Sequence, residues 1–207
     1  MNTSDISTKE PKPLQPGLPA VSYADIDSNF QHRKSYTSAF GFCLVTEECL
    51  LFLAHFFAGK KVLEVGSGSG WLADQLAQRG IDIVAADWAD YRLPPNDEGL
   101  GLQIRTVYRL DHHGDALDLL PGNFDVVLLV WPNLETPFLG EQVARAMKGG
   151  QFLVYEGESY GVWAGSNTFF DMLVDDFVPL KKPIRALNST HRTFPGHDDK
   201  WLVLEKK

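Results

Sequence analysis

Short apolar runs alternate with amphipathic stretches from residue 46 to the C-terminus. The runs 61–65, 81–87, 124–131 and 151–155 are rich in Val, Leu and Ile and predict buried strands. The stretches 46–57, 71–79, 141–147 and 169–175 have the apolar spacing of helices. This alternation predicts an α/β, Rossmann-like domain, with a mostly parallel sheet and helices on both of its faces.

The C-terminal part of the chain supplies two more strands. Residues 177–187 contain a predicted sixth strand and residues 200–205 a seventh, which together predict a final hairpin with an antiparallel last strand. Residues 1–22 are rich in Pro, Ser, Thr and Lys, a composition that predicts a disordered tail. One domain therefore spans 23–207. Within it, the aromatic-rich segment 23–45, with Tyr36 and Phe40, is either a lid or an arm anchored to the domain.

Three alternating glycines follow the first predicted strand. Gly66, Gly68 and Gly70 lie between strand 61–65 and helix 71–79, where glycine permits positive φ and lets a ligand approach the backbone. The helix that follows directs its unpaired N–H groups and the positive end of its dipole at such a ligand. The loop therefore predicts a site for a nucleotide-type ligand.

Two cofactors fit this loop. The dinucleotide pattern G-x-G-x-x-G/A fails when it starts at Gly66, because Trp71 replaces the third small residue, but it is satisfied when it starts at Gly68. Glu64 followed by alternating glycines resembles motif I of the class I S-adenosylmethionine-dependent methyltransferases. A carboxylate at the strand end suits the cationic amino-acid end of that donor and would serve a pyrophosphate poorly. The final hairpin also favours the methyl donor, because dinucleotide folds generally lack it.

The resemblance covers residues 46–207 and implies roles by position. It implies that Asp87, at the end of the second strand, binds the ribose hydroxyls, although a dinucleotide site uses a carboxylate there in the same way. It implies that Asp115 and Ala116 bracket the adenine, with Asp115 accepting from the exocyclic amine. The full donor site that it implies consists of Glu64, Gly66, Ser67, Gly68, Gly70, Asp87, Trp88, Asp115, Ala116 and Trp131.

The acceptor is expected beyond the carboxyl ends of the fourth and fifth strands, where open α/β sheets bind their ligands. Asn133 and Glu158 follow these strands and are the predicted catalytic residues, and Glu158 is placed to orient or deprotonate a nucleophile. The order Trp-Pro-Asn-Leu at 131–134 departs from the (Asp/Asn/Ser)-Pro-Pro-aromatic motif of DNA amino-methyltransferases. It looks closest to bacterial and phage-type methyltransferase-like proteins that have Trp-Pro-Pro at this point.

The remaining histidines of this edge are expected to be surface-loop residues. They are His112 and His113 near the third strand, and His191 and His197 in the loop 188–199. Cys43 and Cys49 lack metal-ligand spacing with them, so reduced thiols and no metal site are expected.

The charge balance bears on the acceptor. The chain carries 27 acidic and 19 basic residues, a formal net charge of −8, and its basic residues are scattered. Nucleic-acid enzymes usually present a basic face, so this balance favours a small-molecule substrate over DNA or RNA. No apolar run reaches membrane-spanning length and no signal-peptide profile is present, which makes the cytoplasm the expected location.

These observations predict an S-adenosylmethionine-dependent methyltransferase that acts directly on a small-molecule or other acceptor. Two alternatives remain open. A non-catalytic module of the same fold would bind S-adenosylmethionine without turnover, and an NAD-dependent oxidoreductase would use the second frame of the glycine loop.

Overall fold

The computed structural model describes residues 36–88, 106–132, 138–160, 164–194 and 196–207. Seven strands occur in these ranges: β1 (Lys61–Val65), β2 (Asp82–Asp87), β3 (His112–His113), β4 (Val126–Val130), β5 (Phe152–Gly157), β6 (Phe177–Pro179) and β7 (Lys200–Lys206). They form one sheet in the order β3-β2-β1-β4-β5-β7-β6. Strands β1 to β5 pair in parallel, and β7 is antiparallel to both of its neighbours.

Five α-helices flank the sheet in the described ranges. They are α1 (Glu47–Phe57), α2 (Trp71–Gln78), α3 (Leu139–Ala146), α4 (Asn167–Asp176) and α5 (Lys181–Thr190), and a 3₁₀ helix spans Ala116–Leu119. Side-chain caps define two of the starts, because Thr46 accepts from the third N–H of α1 and Ser166 does the same for α4. No helix in these ranges has the length and apolarity to cross a bilayer.

Alternation along the strands builds two apolar layers. Val62, Val126 and Val154 face one layer, whereas Leu63 and Val127 face the other, because successive strand side chains point to opposite faces. Buried residues of α1, α2 and α5 complete the first layer, and those of α3, α4 and the 3₁₀ helix complete the second. The predicted seven-stranded, mostly parallel Rossmann-like fold with helices on both faces and an antiparallel last strand is confirmed.

The predicted final hairpin is wrong in its connection. Strand β6 has only three residues, and α5 separates it from β7. Leu180, Ile184 and Leu187 recur at intervals of four and three and pack into the first layer, which is helical spacing. Pro183 lies in the first turn of α5, where proline is tolerated because that N–H has no intrahelical acceptor.

The aromatic segment ahead of α1 packs into the domain. Residues 36–40 are helical, and both Tyr36 and Phe40 are buried. The Tyr36 ring contacts that of Phe194 with centroids 5.5 Å apart, and the Phe40 ring contacts that of Trp71 at the same distance. The predicted tail 1–22 and residues 23–35 lie outside the described residues.

Candidate functional site

A cavity opens at the carboxyl ends of β1, β2 and β4, where the glycine loop joins β1 to α2. It encloses about 890 Å³ of atom-free space, the solvent at its open mouth included. Of the predicted donor-site residues, the structure brings seven together on its walls: Glu64, Gly66, Ser67, Gly68, Asp87, Trp88 and Trp131. We call it the glycine-loop cavity.

The glycine loop has a left-handed conformation and is held by hydrogen bonds to the end of β2. Gly66 has φ +68° and Gly68 has φ +56°, values that side chains beyond glycine rarely adopt. The Gly66 and Ser67 N–H groups both donate to the Ala86 carbonyl of β2. The Gly68 N–H donates to Asp87 Oδ2 at 2.8 Å, so the carboxylate at the end of β2 fixes the loop as well as facing the cavity.

Gly70 packs against the segment at Arg109, and its predicted contact with the donor stays a prediction. It is the N-cap residue of α2 with φ +67°, and it is not among the described residues that line the cavity. A Cβ on Gly70 would lie 1.7 Å from the Arg109 carbonyl oxygen. The loop therefore depends on a backbone segment far from it in sequence.

Glu64 is a buried carboxyl group on the cavity wall. It is 4% exposed, and its Oε2 has no hydrogen-bond partner among the described residues. Burial raises its pKa to about 8, and the nearby Asp87 charge adds to this, while the Ala73 N–H and Arg109 oppose it. An empty cavity therefore holds Glu64 protonated at neutral pH, and a cation in the cavity would favour its ionised form.

Three further buried polar atoms on cavity-lining residues have no partner in the described part of the chain. They are the Ser67 hydroxyl oxygen and the indole nitrogens of Trp71 and Trp131. Burying an unpaired polar group is costly unless a ligand satisfies it. Together with Glu64, these atoms offer one carboxyl group and three hydrogen-bond donors, a set that suits the ammonium and carboxylate groups of an amino-acid ligand.

The remaining predicted donor-site residues lie elsewhere. The Asp115 side chain accepts from the Leu117 N–H at 2.9 Å and caps the 3₁₀ helix. Ala116 is buried in the second apolar layer. Neither is among the described residues that line the cavity, and their assignment to the adenine stays a prediction. Asn133, a predicted catalytic residue, lies outside the described residues.

Glu158, the other predicted catalytic residue, pairs with a histidine near the cavity. Glu158 Oε1 lies 2.9 Å from His197 Nδ1, across 39 residues of sequence. The His197 ring stands edge-on to Trp131, with centroids 5.3 Å apart. Trp131 adopts φ +45°, an uncommon conformation for a bulky residue, and it both lines the cavity and contacts His197. No local spacing in the sequence could have indicated the Glu158–His197 contact.

A second polar cluster is buried beneath the cavity. His191 Nε2 lies 3.1 Å from Asp199 Oδ2 and 3.4 Å from Glu156 Oε1, and each of these side chains is at most 4% exposed. Burial, together with the Asp199 carboxylate, raises the pKa of Glu156 well above its ordinary value. The expectation that His191 is a surface-loop residue is therefore wrong. Cys43 and Cys49 are both free and buried.

Comparisons with known proteins agree with this architecture. No family profile matches the chain. Over 75 residues, 34% of the chain, it is 37% identical to the ubiquinone biosynthesis O-methyltransferase of Pseudomonas aeruginosa (strain LESB58). The match covers 31% of that protein, so the chain spans about a third of the length of this curated relative.

Solved structures resemble the whole described domain. The O-methyltransferase from Bacillus cereus in complex with SAH has a TM-score of 0.51 at 13% identity, and the match covers 93% of both chains. The magnesium protoporphyrin IX methyltransferase from Synechocystis PCC 6803 with bound SAM has a TM-score of 0.50 at 15% identity, with 92% of this chain and 87% of that chain covered. At such identities the similarity shows that this chain shares the fold of these two proteins.

Proposed function

We propose that this chain, which has the class I methyltransferase fold, transfers a methyl group from S-adenosylmethionine to a small-molecule acceptor. One observation carries the proposal. Two buried polar groups without hydrogen-bond partners, Glu64 Oε2 and the Ser67 hydroxyl, both line the cavity, as does Asp87. An apolar ligand would leave both groups unpaired, whereas an amino-acid ligand pairs both.

The residues of the cavity fit the parts of this donor. Glu64 would take the ammonium group, the Ser67 hydroxyl the carboxylate, and Asp87 the ribose hydroxyls. Phe40, Phe42 and the exposed ring of Trp88 add aromatic surface around the cavity. The predicted adenine contacts of Asp115 and Ala116 belong to the same proposal.

S-adenosylmethionine would supply an already activated methyl group, so the protein's work is to align the acceptor. Orientation of two reactants can supply much of the acceleration of such a step. Where the acceptor arrives protonated, His197 is suited to take its proton, because Glu158 can accept a hydrogen bond from Nδ1–H and leave the lone pair on Nε2. Glu158 is then the residue that positions the base.

The acceptor proposed is a small molecule with a hydroxyl group. The similarity to an O-methyltransferase over 75 residues supports this choice, as does the acidic charge of the chain. We also propose that the protein acts in the cytoplasm.

Isothermal titration of the purified chain with S-adenosylmethionine, S-adenosylhomocysteine and NAD, in parallel, tests the donor assignment. We expect the first two to bind and NAD not to bind. Binding of NAD alone would overturn the proposal in favour of an oxidoreductase. Binding of both sulfur compounds, without methyl transfer to any member of a panel of phenols and other hydroxylated acceptors, would favour a non-catalytic module.

A further inference from the structure

The segment before α1 is joined to the end of α5 by backbone pairing. Leu44 forms an antiparallel bridge with Arg192, and the Thr46 hydroxyl lies 3.5 Å from the Thr190 carbonyl oxygen. In this register Cys43 lies diagonally across from His191, and a donor atom of each lies within 4.8 Å of the other, although the two residues are far apart in sequence. A thiol and an imidazole are therefore brought together by tertiary structure alone.

Glu156 at the carboxyl end of β5 completes a group of three potential metal ligands. One donor atom from each of Cys43, Glu156 and His191 lies within 4.8 Å of the other two. Asp199 adds a further carboxylate, since its Oδ2 lies 3.1 Å from His191 Nε2. Donors that share a tetrahedral ion at about 2.0 Å lie about 3.3 Å apart. The spacing of 3.4 Å between His191 Nε2 and Glu156 Oε1 matches this value.

Among the described residues, His191 is the only basic side chain that pairs with the carboxylates of this cluster. Glu156 is 0% exposed, and neither of its oxygens has a hydrogen-bond partner in the described part of the chain. Asp199 Oδ1 is likewise buried without a partner, and no lysine or arginine of the described residues pairs with either carboxylate. Buried carboxylates are normally paired or bound to a metal.

We propose that Cys43, Glu156 and His191 bind a divalent transition-metal ion, for which Zn²⁺ is the probe. Asp199 is either the fourth ligand or a carboxylate that lies next to the His191 ligand. Sulfur, nitrogen and oxygen donors in one buried cluster suit zinc better than magnesium or calcium, which prefer oxygen ligands alone. The thiolate and the carboxylates supply the negative charge that the ion neutralises. Because all of these side chains are buried, the site is structural rather than catalytic.

One contact competes with the ion. The Trp201 indole N–H donates to His191 Nδ1 at 3.2 Å, which places the ring proton on Nε2 in the metal-free form. An ion on Nε2 moves that proton to Nδ1, and the hydrogen bond from Trp201 is then lost. Metal binding must therefore displace the indole, and Trp201 becomes a reporter of the bound state.

The ion would connect the segment before α1 to the sheet. Cys43 lies in that segment and lines the glycine-loop cavity, as do its neighbours Gly41 and Phe42. Glu156 lies on β5, and His191 follows α5. A bound ion would hold this part of the cavity wall in place.

The first experiment measures metal directly on the full chain, purified without a polyhistidine tag. After dialysis, we expect about one zinc per chain by elemental analysis. Replacement by Co²⁺ should give a thiolate-to-cobalt charge-transfer band and the visible bands of a tetrahedral site. A protein that keeps no zinc after reconstitution and gives no cobalt band would overturn the proposal and leave a proton-sharing acid cluster. Neither readout depends on donor binding or methyl transfer.

Matched variants assign the ligands. Cys43→Ser should abolish the charge-transfer band and lower zinc affinity at least tenfold. Cys49→Ser is the matched comparison, because the Cys49 thiol contacts His191 and Thr190 but lies outside the ligand group, so the charge-transfer band should persist. Equal cobalt spectra for the two variants would contradict the assignment. Circular dichroism verifies that each variant is folded.

Trp201→Phe separates metal binding from proton sharing. It removes the competing N–H donor and keeps an aromatic ring, so we expect zinc to bind several-fold more tightly than in the unchanged protein. Weaker binding in a folded variant would show that the indole supports the metal-bound form, and the geometry proposed above would then be wrong.

Discussion

The glycine-loop cavity, which is the proposed donor end of the site, and the Glu158–His197 pair near it, which is the proposed acceptor end, are built in different ways. The donor end uses residues that are neighbours in sequence, from Glu64 through the glycine loop to Asp87 at the end of the next strand. The acceptor end joins Glu158 to His197 and places Trp131 beside them. The buried cluster below it joins Cys43 to His191 from opposite ends of the domain. Local chain geometry therefore constrains the donor end, whereas long-range packing decides the acceptor end.

This difference shows which parts of a site a short sequence motif can reveal. A strand, a tight loop and a helix follow one another within one βα unit, so their residue spacing is visible along the chain. An acid–base pair on two loops needs only that both loops reach the same edge of the sheet. Many pairs of positions satisfy that condition, so no sequence spacing identifies the pair.

Gly70→Ala is the strongest challenge to the view that the donor end is locally built. The added Cβ would lie 1.7 Å from the Arg109 carbonyl oxygen, so the loop or the segment at Arg109 must move. We expect a loss of stability on the order of 5 kcal/mol and no measurable donor binding.

Gly80→Ala is the control, because Gly80 also has a positive φ, +84°, but nothing would lie within 4 Å of the added Cβ. Chemical denaturation should give it a cost of about 1–2 kcal/mol. Similar costs for the two would refute the steric account.

Glu64→Gln tests the cost of the buried carboxyl group. The pKa of Glu64 is about 8 in the folded protein and has its ordinary, lower value in the unfolded chain. At any pH between these two pKa values, the folded state holds a proton that the unfolded state has released. The free energy of unfolding therefore falls as pH rises through this window, by about 3 kcal/mol from pH 6 to pH 9. The variant should lack this part of the pH dependence and be more stable than the parent at pH 9.

The same variant should bind the donor more weakly, because it cannot ionise opposite the ammonium group. In the unchanged protein, donor binding at pH 7 should release a proton from Glu64. Titration calorimetry in two buffers of different ionisation enthalpy measures that proton. Parallel pH profiles of stability for the two proteins would show that Glu64 is not buried as described.

Asp87→Ala probes the ribose assignment. It removes the proposed ribose contact and the hydrogen bond to the Gly68 N–H. We expect donor affinity to fall about 100-fold, which is about 2.7 kcal/mol. Asp82→Ala, at the exposed start of the same strand, is the control and should bind the donor normally. Unchanged affinity in Asp87→Ala, measured by calorimetry, would remove Asp87 from the site.

Glu158→Gln gives the smallest expected effect and addresses the acceptor end. The amide keeps the shape of the side chain but removes the charge that orients and stabilises His197, so kcat should fall about tenfold, or about 1.4 kcal/mol. Donor affinity should not change. Asp198→Asn is the matched control, because Asp198 is exposed and pairs only with Lys200 among the described salt bridges. Equal kcat values for both variants would place the base elsewhere.

The overall architecture could be predicted from the pattern of apolar runs. Strands β1, β2, β4 and β5 are mainly apolar segments, because a parallel sheet is buried on both faces. Such segments can be recognised in a single sequence. Helix α5 was missed because only Leu187 in it is fully buried and Pro183 interrupts its first turn. The error turned a strand–helix–strand connection into a predicted hairpin.

The sequence by itself determined the sheet, the glycine loop and the carboxylates at the ends of β1 and β2, because these features depend on periodicity and on residues within one βα unit. Only the tertiary structure decided three contacts. The Arg109 carbonyl packs against Gly70, Glu158 lies beside His197, and Cys43 lies near His191. Each of these contacts depends on how the chain returns to the same edge of the sheet. The physical reason is that packing, and not spacing along the chain, brings such distant groups within bonding distance.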